Sequence, residues 1–521
     1  MTSPPQSDVR RLLAALAAFV LAALVTRWLS LAVEVLDSDE AAHVVGSWVW
    51  MDGGRLYTDF IDNKPPLLYA YYALAQLLLG RGLFAVHLLT AVVTVPLTAL
   101  AASAFFGHHR RGLVAAALSL LYGSSFLAHD MLAVNAELVL LLPAAWAVAL
   151  VADERRASRP ASLLWAGVLL GIATLVKTTA AFWLMAVAWS VLRNPKSGAS
   201  RWPTLLPLGA GFSLPVLVAW AAFAVTGGAH DMLYWLVWRS AAYAASPVTA
   251  GEAAERAASY LLPWLVATAP LWWAWARSRA LLDAHRRRLV DGLLLTGLAS
   301  AFAGFRFYPH YFIPAGFALA LGAAPAVAGW CARPRERAGR AFLAATLVVV
   351  VVFQAANAWL YLGRSGVYRE TDPVYRETVE RLARDACFPG SRIFVWGWAP
   401  GFYYEAGLRG VRPASRFVVM AQSGLTRYVS GRQRRTPGGS GAIPAPGHWD
   451  LLMGDLERNQ ATYVLDTAPA GIYRWDRYPV EDYPTLDRYL AEHYEPLASV
   501  GEVRLFRRRG CAAFPAAGSP R

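Results

Sequence analysis

The stretch LDSDEAAHVVGSWVWMDGGRLYTDFIDNKPPLLYAYY, residues 36–72, decides how the rest of the chain is read. It follows the first strongly apolar segment and holds groups that lipid does not tolerate. Asp37, Asp39 and Glu40 come directly after a run of membrane length. Gly53 and Gly54 mark a turn, and Asp59, Asp62 and Lys64 then lead into Pro65-Pro66. From Glu34 to Lys64 there are seven carboxylates against two cations, Arg55 and Lys64. That composition describes an acidic loop at a membrane surface. A solvated connection between helices is its plainest reading. The concentration of carboxylates, a base and a helix-starting Pro pair in one loop points further, because ionisable groups held near a bilayer usually mark a site. Asp37 and Asp39 fall where the first helix is expected to end, a poor place for negative charge unless it has a use.

Composition supports a membrane protein. The 521 residues are 56% hydrophobic and only 16% charged, with 21 Trp and 22 Tyr suited to membrane interfaces. The net charge of +14 does not indicate nucleic acid, because the cations sit in short clusters between apolar runs. Cys331, Cys387 and Cys511 lack metal-ligand or redox spacing, and no Walker A or dinucleotide-type glycine motif occurs. The N-terminal run behind Arg10-Arg11 resembles a signal sequence, but its length and its lack of a small-residue cleavage site suit an uncleaved first span.

A bilayer core takes about 20 apolar residues per helix. Runs near that size lie at 12–34, 83–106, 112–129, 136–152, 203–226, 260–276, 289–305, 311–331 and 341–361. Two shorter runs, 161–176 and 179–192, flank Lys177, which gives an expectation of eleven spans. The apolar run 65–79 is short for a crossing. If it lies along the surface, the loops 107–111, 153–159, 193–201, 277–288 and 332–340 share one side and carry 17 Lys and Arg, against 6 in the opposite loops. The positive-inside rule then puts the N-terminus in the cytoplasm and the chain after residue 361 outside. That tail, 362–521, changes character. Strands are expected at 392–398, 415–420, 462–466 and 500–507, helices at 374–386, 449–459 and 484–493, and a Gly/Pro loop at 437–447. The expected fold class is mainly α, a polytopic bundle over 1–361 with a small extracytoplasmic α/β domain. Cys387 and Cys511 would share an oxidising compartment and pair there, while Cys331 sits at a cytoplasmic helix end.

This topology, chosen from cations alone, gathers the other polar residues on one face. Asp37, Asp39, Glu40, Asp62 and Lys64 meet Asp130, Asn135 and Glu137, then Lys177, then Arg239 and Tyr243, and finally Arg306, Tyr308, His310 and Tyr311. Ordinary readings stand beside each: Lys177 snorkelling to headgroups, Arg306 and Tyr308 as interface anchors, His310 bonded at a helix start, Glu137 capping a helix. Acids and bases around a lipid-accessible cavity suit one chemistry. A carboxylate takes a proton from an acceptor hydroxyl while cations stabilise a phosphate leaving group. A polyprenyl-phosphate-linked sugar is such a donor and needs no nucleotide.

The segments DSDEAAH (37–43), GGRLYTDFIDNKPPLLY (53–69), Asn135-Ala136-Glu137, the Lys177 break and YPHYFIP (308–314) together resemble the GT-C glycosyltransferases. The group they resemble most is the protein O-mannosyltransferase and lipid A aminoarabinose transferase superfamily, in its bacterial family 39-like branch. The resemblance covers roughly residues 10–361 and implies about eleven to thirteen helices, with two juxtamembrane helices in the first outer loop. It implies Asp39 as the catalytic carboxylate, with Glu40 beside it, and Lys64 near the donor phosphate. Arg306, His310 and Lys177 are expected to join Lys64 there, and Asp37, Asp62, Glu137, Tyr308 and Tyr311 to line the substrate site. Some relatives carry Glu directly before that Lys. Here Asn63 stands in its place with Asp62 one residue earlier, so a divalent metal is left open. The expected activity is inverting transfer of a sugar to a glycan, lipid or protein hydroxyl on the outer face of the cytoplasmic membrane. Two other classes are a transporter or flippase of lipid-linked sugars and a polymer-binding scaffold. Transporters tend to show inverted repeats and midplane charges, whereas these charges gather at one face.

Overall fold

The computed structural model describes residues 6–193, 202–245, 248–362, 373–429, 432–433 and 447–511. Inside lipid a backbone must satisfy its own polar groups, so long apolar runs fold as helices. Among the described residues five helices are long and apolar enough to cross a membrane: Leu83–Phe105, Pro203–Val225, Ala284–Phe305, Pro309–Cys331 and Arg337–Leu362. Shorter apolar helices cover Leu12–Thr26, Pro66–Leu79, Ala136–Leu150, Pro160–Thr174 and Thr178–Leu192. Each of the eleven expected runs carries a helix. Glycines let some of them pack backbone to backbone. A Cβ at Gly167 would come within 2.2 Å of the Leu208 carbonyl oxygen, so helix Pro160–Thr174 fits against Leu206–Val225 only because Gly167 has none. Close approach of this kind is how helices associate where lipid removes the hydrophobic drive.

The loop 36–72 contains two helices, Ser38–Met51 and Pro66–Leu79. The first overturns one expectation. Asp37 and Asp39 do not end the preceding span, which stops with the short helix Trp28–Ala32; they open a new helix. Asp37 is its N-cap and accepts from the Asp39 N–H at 3.3 Å, while the Glu40 carboxylate reaches back to the Asp37 N–H. Negative charge is favourable at a helix N-terminus, and the Asp-x-x-Glu spacing is the sequence mark of this reciprocal cap. Helix Pro66–Leu79 starts at the Pro pair and spans 14 residues, about 21 Å. It buries Leu68, Tyr69 and Tyr72 and exposes Leu74, Leu77 and Leu78, so its outer face is apolar too.

The C-terminal unit begins at helix Val374–Ala383 and holds a five-stranded sheet. Its strands are β1 (Arg392–Trp396), β2 (Arg412–Pro413), β5 (Tyr463–Asp466), β6 (Tyr494–Val500) and β7 (Val503–Arg508), in the order β2-β1-β5-β7-β6. A short antiparallel pair, β3 (Tyr428–Val429) with β4 (Arg432–Gln433), lies apart. β1 runs parallel to β2 and β5, and β7 returns antiparallel to β5, pairing Val464 with Phe506. Helices His448–Asn459 and Pro484–His493 agree with the sequence reading. Residues 415–420 do not form the expected strand. The Arg416 N–H bonds the Asp455 carboxylate at 3.1 Å and its carbonyl accepts from the Ile61 N–H at 3.2 Å, so its backbone groups go to a side chain and to the juxtamembrane loop. The expected loop at 437–447 lies outside the described residues except for Gly447. Cys387 and Cys511 form the expected disulfide, and Cys331 is free and exposed.

Helix Pro400–Gly407, not expected from the sequence, seats this unit on the rest of the molecule. The rings of Trp48 and Tyr404 stack at 5.5 Å, and the Tyr404 hydroxyl bonds Glu34 at 2.5 Å. A Cβ at Gly407 would lie 2.2 Å from the Trp48 ring. The C-terminal unit therefore covers the same face of the helical bundle as the loop 36–72.

Candidate active site

Asp39 sits in the first turn of helix Ser38–Met51, and Lys64 lies in the bend just before the Pro pair. The two meet with Lys64 Nζ 3.7 Å from Asp39 Oδ2. Lys64 Nζ is also 4.0 Å from Asp62 Oδ1. The Asp39 side chain is 34% exposed and that of Lys64 16%, so Asp39 is half-buried and keeps access to solvent while Lys64 is mostly buried. Burial alone would raise the Asp39 carboxyl; Lys64, then His43, His310 and Lys177, outweigh it and hold it below the ordinary carboxylate range. Burial disfavours the charged Lys64, yet Asp62 and Asp39 outweigh that and raise it above its ordinary value. Both groups stay ionised at neutral pH.

Glu40, expected beside the catalytic carboxylate, and Asp62, expected to line the substrate site, are both buried and hydrogen-bonded within the protein. Glu40 is fully buried, with Oε1 accepting from the Leu36 and Asp37 N–H groups and Oε2 from the Val134 N–H at 3.0 Å, beside His87 Nε2 at 3.0 Å. It ties the start of the Asp39 helix to the segment before Asn135. Asp62 is 2% exposed. Its Oδ2 accepts from the Tyr69 hydroxyl at 2.6 Å and faces His43 Nε2 at 4.0 Å; its Oδ1 accepts from the Asn63 N–H at 2.6 Å and from Gln422 Nε2 at 2.7 Å. These two carboxylates hold the frame and present no free oxygen to a substrate. Asp37 likewise serves as a helix cap.

A second set of side chains faces the pair. Lys177, in the break between two short helices, is ion-paired to the buried Glu137 and lies 4.3 Å from the centre of the Tyr311 ring. His310 Nδ1 meets Asp130 Oδ1 at 3.1 Å, with His129 Nε2 on the other Asp130 oxygen at 3.0 Å. Tyr308 stacks on His310 with the rings nearly parallel at 5.7 Å. Arg306 lies over the Tyr243 ring at 4.8 Å, and Tyr243 is within electrostatic reach of Lys64. His310 and Lys177 act directly on the Asp39 charge, whereas Arg306 belongs to an outer layer around Tyr243.

Sequence reasoning missed His43 and Gln422. His43 is 1% exposed and sits on the helix face below Asp39, edge-on to Tyr72 at 5.5 Å. The spacing Asp39-x-x-x-His43, one helical turn, was its available signal. Gln422 comes from the C-terminal unit; besides donating to Asp62, it accepts from the Asn63 N–H at 3.1 Å, and its carbonyl accepts from Arg239 at 2.6 Å. No local pattern announces it. Among the described residues no group of three or more His, Cys, Asp or Glu could hold a metal ion. A divalent cation at Asp62 does not fit the donor groups around it: both oxygens receive N–H or O–H donors and an ammonium stands at 4.0 Å.

No family model and no curated protein matches the chain. Solved structures do. ArnT from Cupriavidus metallidurans bound to undecaprenyl phosphate is similar with a TM-score of 0.54 at 14% identity, over 96% of this chain and 99% of that one. Its apo form gives 0.49 at 15% identity, over 94% and 97%. The archaeal oligosaccharyltransferase AglB from Archaeoglobus fulgidus, in complex with an inhibitory peptide and a dolichol-phosphate, gives 0.47 at 11% identity, over 98% and 76%. The match to undecaprenyl phosphate-bound ArnT spans both the helical bundle and the C-terminal unit. The chain has the ArnT fold, in line with the fold implied by the sequence resemblance.

Proposed function

We propose that this protein is a membrane glycosyltransferase that moves a sugar from a polyprenyl-phosphate donor to an acceptor hydroxyl on the outer face of the cytoplasmic membrane. One observation carries the reading: an ionised carboxylate, Asp39, and an ionised ammonium, Lys64, stand 3.7 Å apart at an opening on the face shared by the acidic loop and the C-terminal unit. A fold shared with a protein solved with undecaprenyl phosphate supports it.

Asp39 accepts the proton of the acceptor hydroxyl as that oxygen forms a bond to the anomeric carbon. The bond from that carbon to the phosphate oxygen breaks on the opposite side, and polyprenyl phosphate leaves with the electron pair. One displacement inverts the configuration. Lys64 neutralises the departing phosphate, with Lys177 and His310 behind it and Arg306 further out. Such stabilisation acts most strongly where charge develops in the transition state. Residues 1–361 form the catalytic bundle and 362–521 the extracytoplasmic domain.

The test is sugar transfer by the purified protein from a synthetic polyprenyl phosphate donor, with donor binding measured separately. A general base contributes about 10²–10⁴-fold, so Asp39→Asn loses activity on that scale and keeps donor affinity. Lys64→Ala weakens both, because its charge meets phosphate before and during reaction. A folded Asp39→Asn variant working at the parent rate removes Asp39 as base. Donor carried across liposomes and never cleaved makes the protein a flippase.

A further inference from the structure

Between the far end of helix Ser38–Met51 and the C-terminal unit lies a groove of about 440 Å³, away from the Asp39–Lys64 pair. Six arginines line it: Arg55 and Arg81 from the membrane bundle, and Arg392, Arg412, Arg416 and Arg458 from the C-terminal unit. Three carboxylates answer them. Asp52 is shared by Arg81 at 3.7 Å and Arg412 at 3.4 Å. Asp455 is shared by Arg416 at 2.9 Å and Arg458 at 2.8 Å. Asp59 lies 3.8 Å from Arg55, and Arg392 donates to the neutral Asn459 at 3.0 Å. Two guanidiniums on one carboxylate leave positive charge over, and the groove as a whole carries three cations in excess. Four of the six remain accessible: Arg55 at 56%, Arg81 at 47%, Arg412 at 58% and Arg458 at 66%. Guanidinium forks match carboxylate and phosphate oxygens in pairs.

We propose that this groove binds the anionic groups of the acceptor, a saccharide bearing phosphate or carboxylate substituents, while its hydroxyl end reaches Asp39. The inference rests on the transferase reading for the word acceptor alone; the anion site stands on its own geometry. Asp39 and Asp52 are 13 residues apart on one helix, about 20 Å, which sets the span between the reacting hydroxyl and the anionic group at several sugar units. Interleaved guanidiniums, carboxylates and the Asn459 amide offer donors and acceptors together, as ring hydroxyls require. A peptide adding as a strand is disfavoured here. The sheet edge at the groove is β2, and Pro413 within it has no N–H to give.

The experiment measures equilibrium binding to the full-length protein in neutral nanodiscs, using a galacturonate hexamer as soluble probe and a neutral maltohexaose as control. A parallel arm uses nanodiscs containing phosphatidylglycerol, with the hexamer as competitor, and reads the salt dependence of each. The hexamer binds, maltohexaose does not, and affinity falls as salt rises. Arg412→Ala with Arg458→Ala weakens binding about tenfold, the scale of a few partly exposed charged hydrogen bonds. These side chains are largely solvated, so the fold tolerates their loss; Arg335→Ala, in the opposite-face loop 332–340, leaves binding unchanged. Competition by phosphatidylglycerol that the double variant abolishes identifies a lipid headgroup as the anion's source, and its absence identifies a free glycan. The readout is binding and includes no transfer step, so its result stands whichever way the transfer assay on Asp39→Asn falls, which separates this site from the catalytic reading. Equal binding of both hexasaccharides, or hexamer binding indifferent to the double substitution, overturns the proposal.

Discussion

Gln422 donates its side-chain amide to Asp62 Oδ1 at 2.7 Å, across more than 350 residues of chain and from one structural unit into the other. Asp62, with Asp39, faces Lys64, so the C-terminal unit holds the frame of the candidate site. Gln422→Ala removes the hydrogen bond to the buried Asp62 charge, about 1–3 kcal/mol, together with those to the Asn63 N–H and side-chain oxygen. The expected result is a transfer rate about tenfold lower through a misplaced Lys64, with the folded protein retained. Gln422→Glu sets a second carboxylate against Asp62 and is expected to be worse than alanine. Steady-state kinetics on both variants check the order; equal rates for glutamate and glutamine would remove the contact from the site's function.

Gly407 offers a steric version of the same idea. A Cβ there would enter the Trp48 ring at 2.2 Å, in a fully buried interface. Gly407→Val therefore forces the Trp48–Tyr404 stack apart and is expected to cost about 1–3 kcal/mol. The measurement is limited proteolysis: the C-terminal unit should be released from the bundle faster in the variant than in the parent.

The helices were legible in the sequence because lipid length and apolar composition dictate them, and Lys177 was legible because a charge interrupts such a run. Asp39 and Lys64 stood out as ions beside apolar segments. The capping role of Asp37 and Glu40 was also written locally, in a four-residue spacing, but was read as the end of one helix when it is the start of another. Segment 415–420 has a strand's composition, and its backbone is taken by Asp455 and Ile61, both distant in sequence. Gln422, Gly407 and the arginine groove arise only when the C-terminal unit docks. Nothing near them in sequence carries that information.

The asymmetry of 17 against 6 cations predicts that the loops 107–111 and 332–340 face one side of the membrane and the C-terminal unit the other. On a Cys331→Ser background that keeps the Cys387–Cys511 disulfide, we place single cysteines at His109, Arg335 and Glu502. In intact cells an impermeant thiol reagent is expected to spare the first two and to label the third, which lies in the exposed turn between β6 and β7. Labelling at His109 or Arg335 would invert the arrangement.

His43 supplies a pH dependence whose sign can be worked out. Burial first, and then the Lys64 ammonium, lower its pKa to about 4 from an ordinary value of 6.5, against smaller opposing effects of Asp39 and Asp62. Its Nδ1 is buried without a protein hydrogen-bond partner, so a proton there would have nowhere to point. Between pH 6.5 and about 4 the unfolded chain binds a proton at this position that the folded protein does not. Stability from the neutral ring is therefore complete above pH 6.5 and is lost as pH falls toward 4. At 1.36 kcal/mol per pH unit the loss is on the order of 3 kcal/mol. Asp39 works the other way round for catalysis: held below the ordinary carboxylate range, it stays a base through the same interval. Thermal unfolding of the purified protein should thus move to lower temperature between pH 7 and pH 5, while His43→Gln, which cannot be protonated, should flatten that slope. If the parent and His43→Gln lose the same stability over this range, the buried ring is not the group responsible.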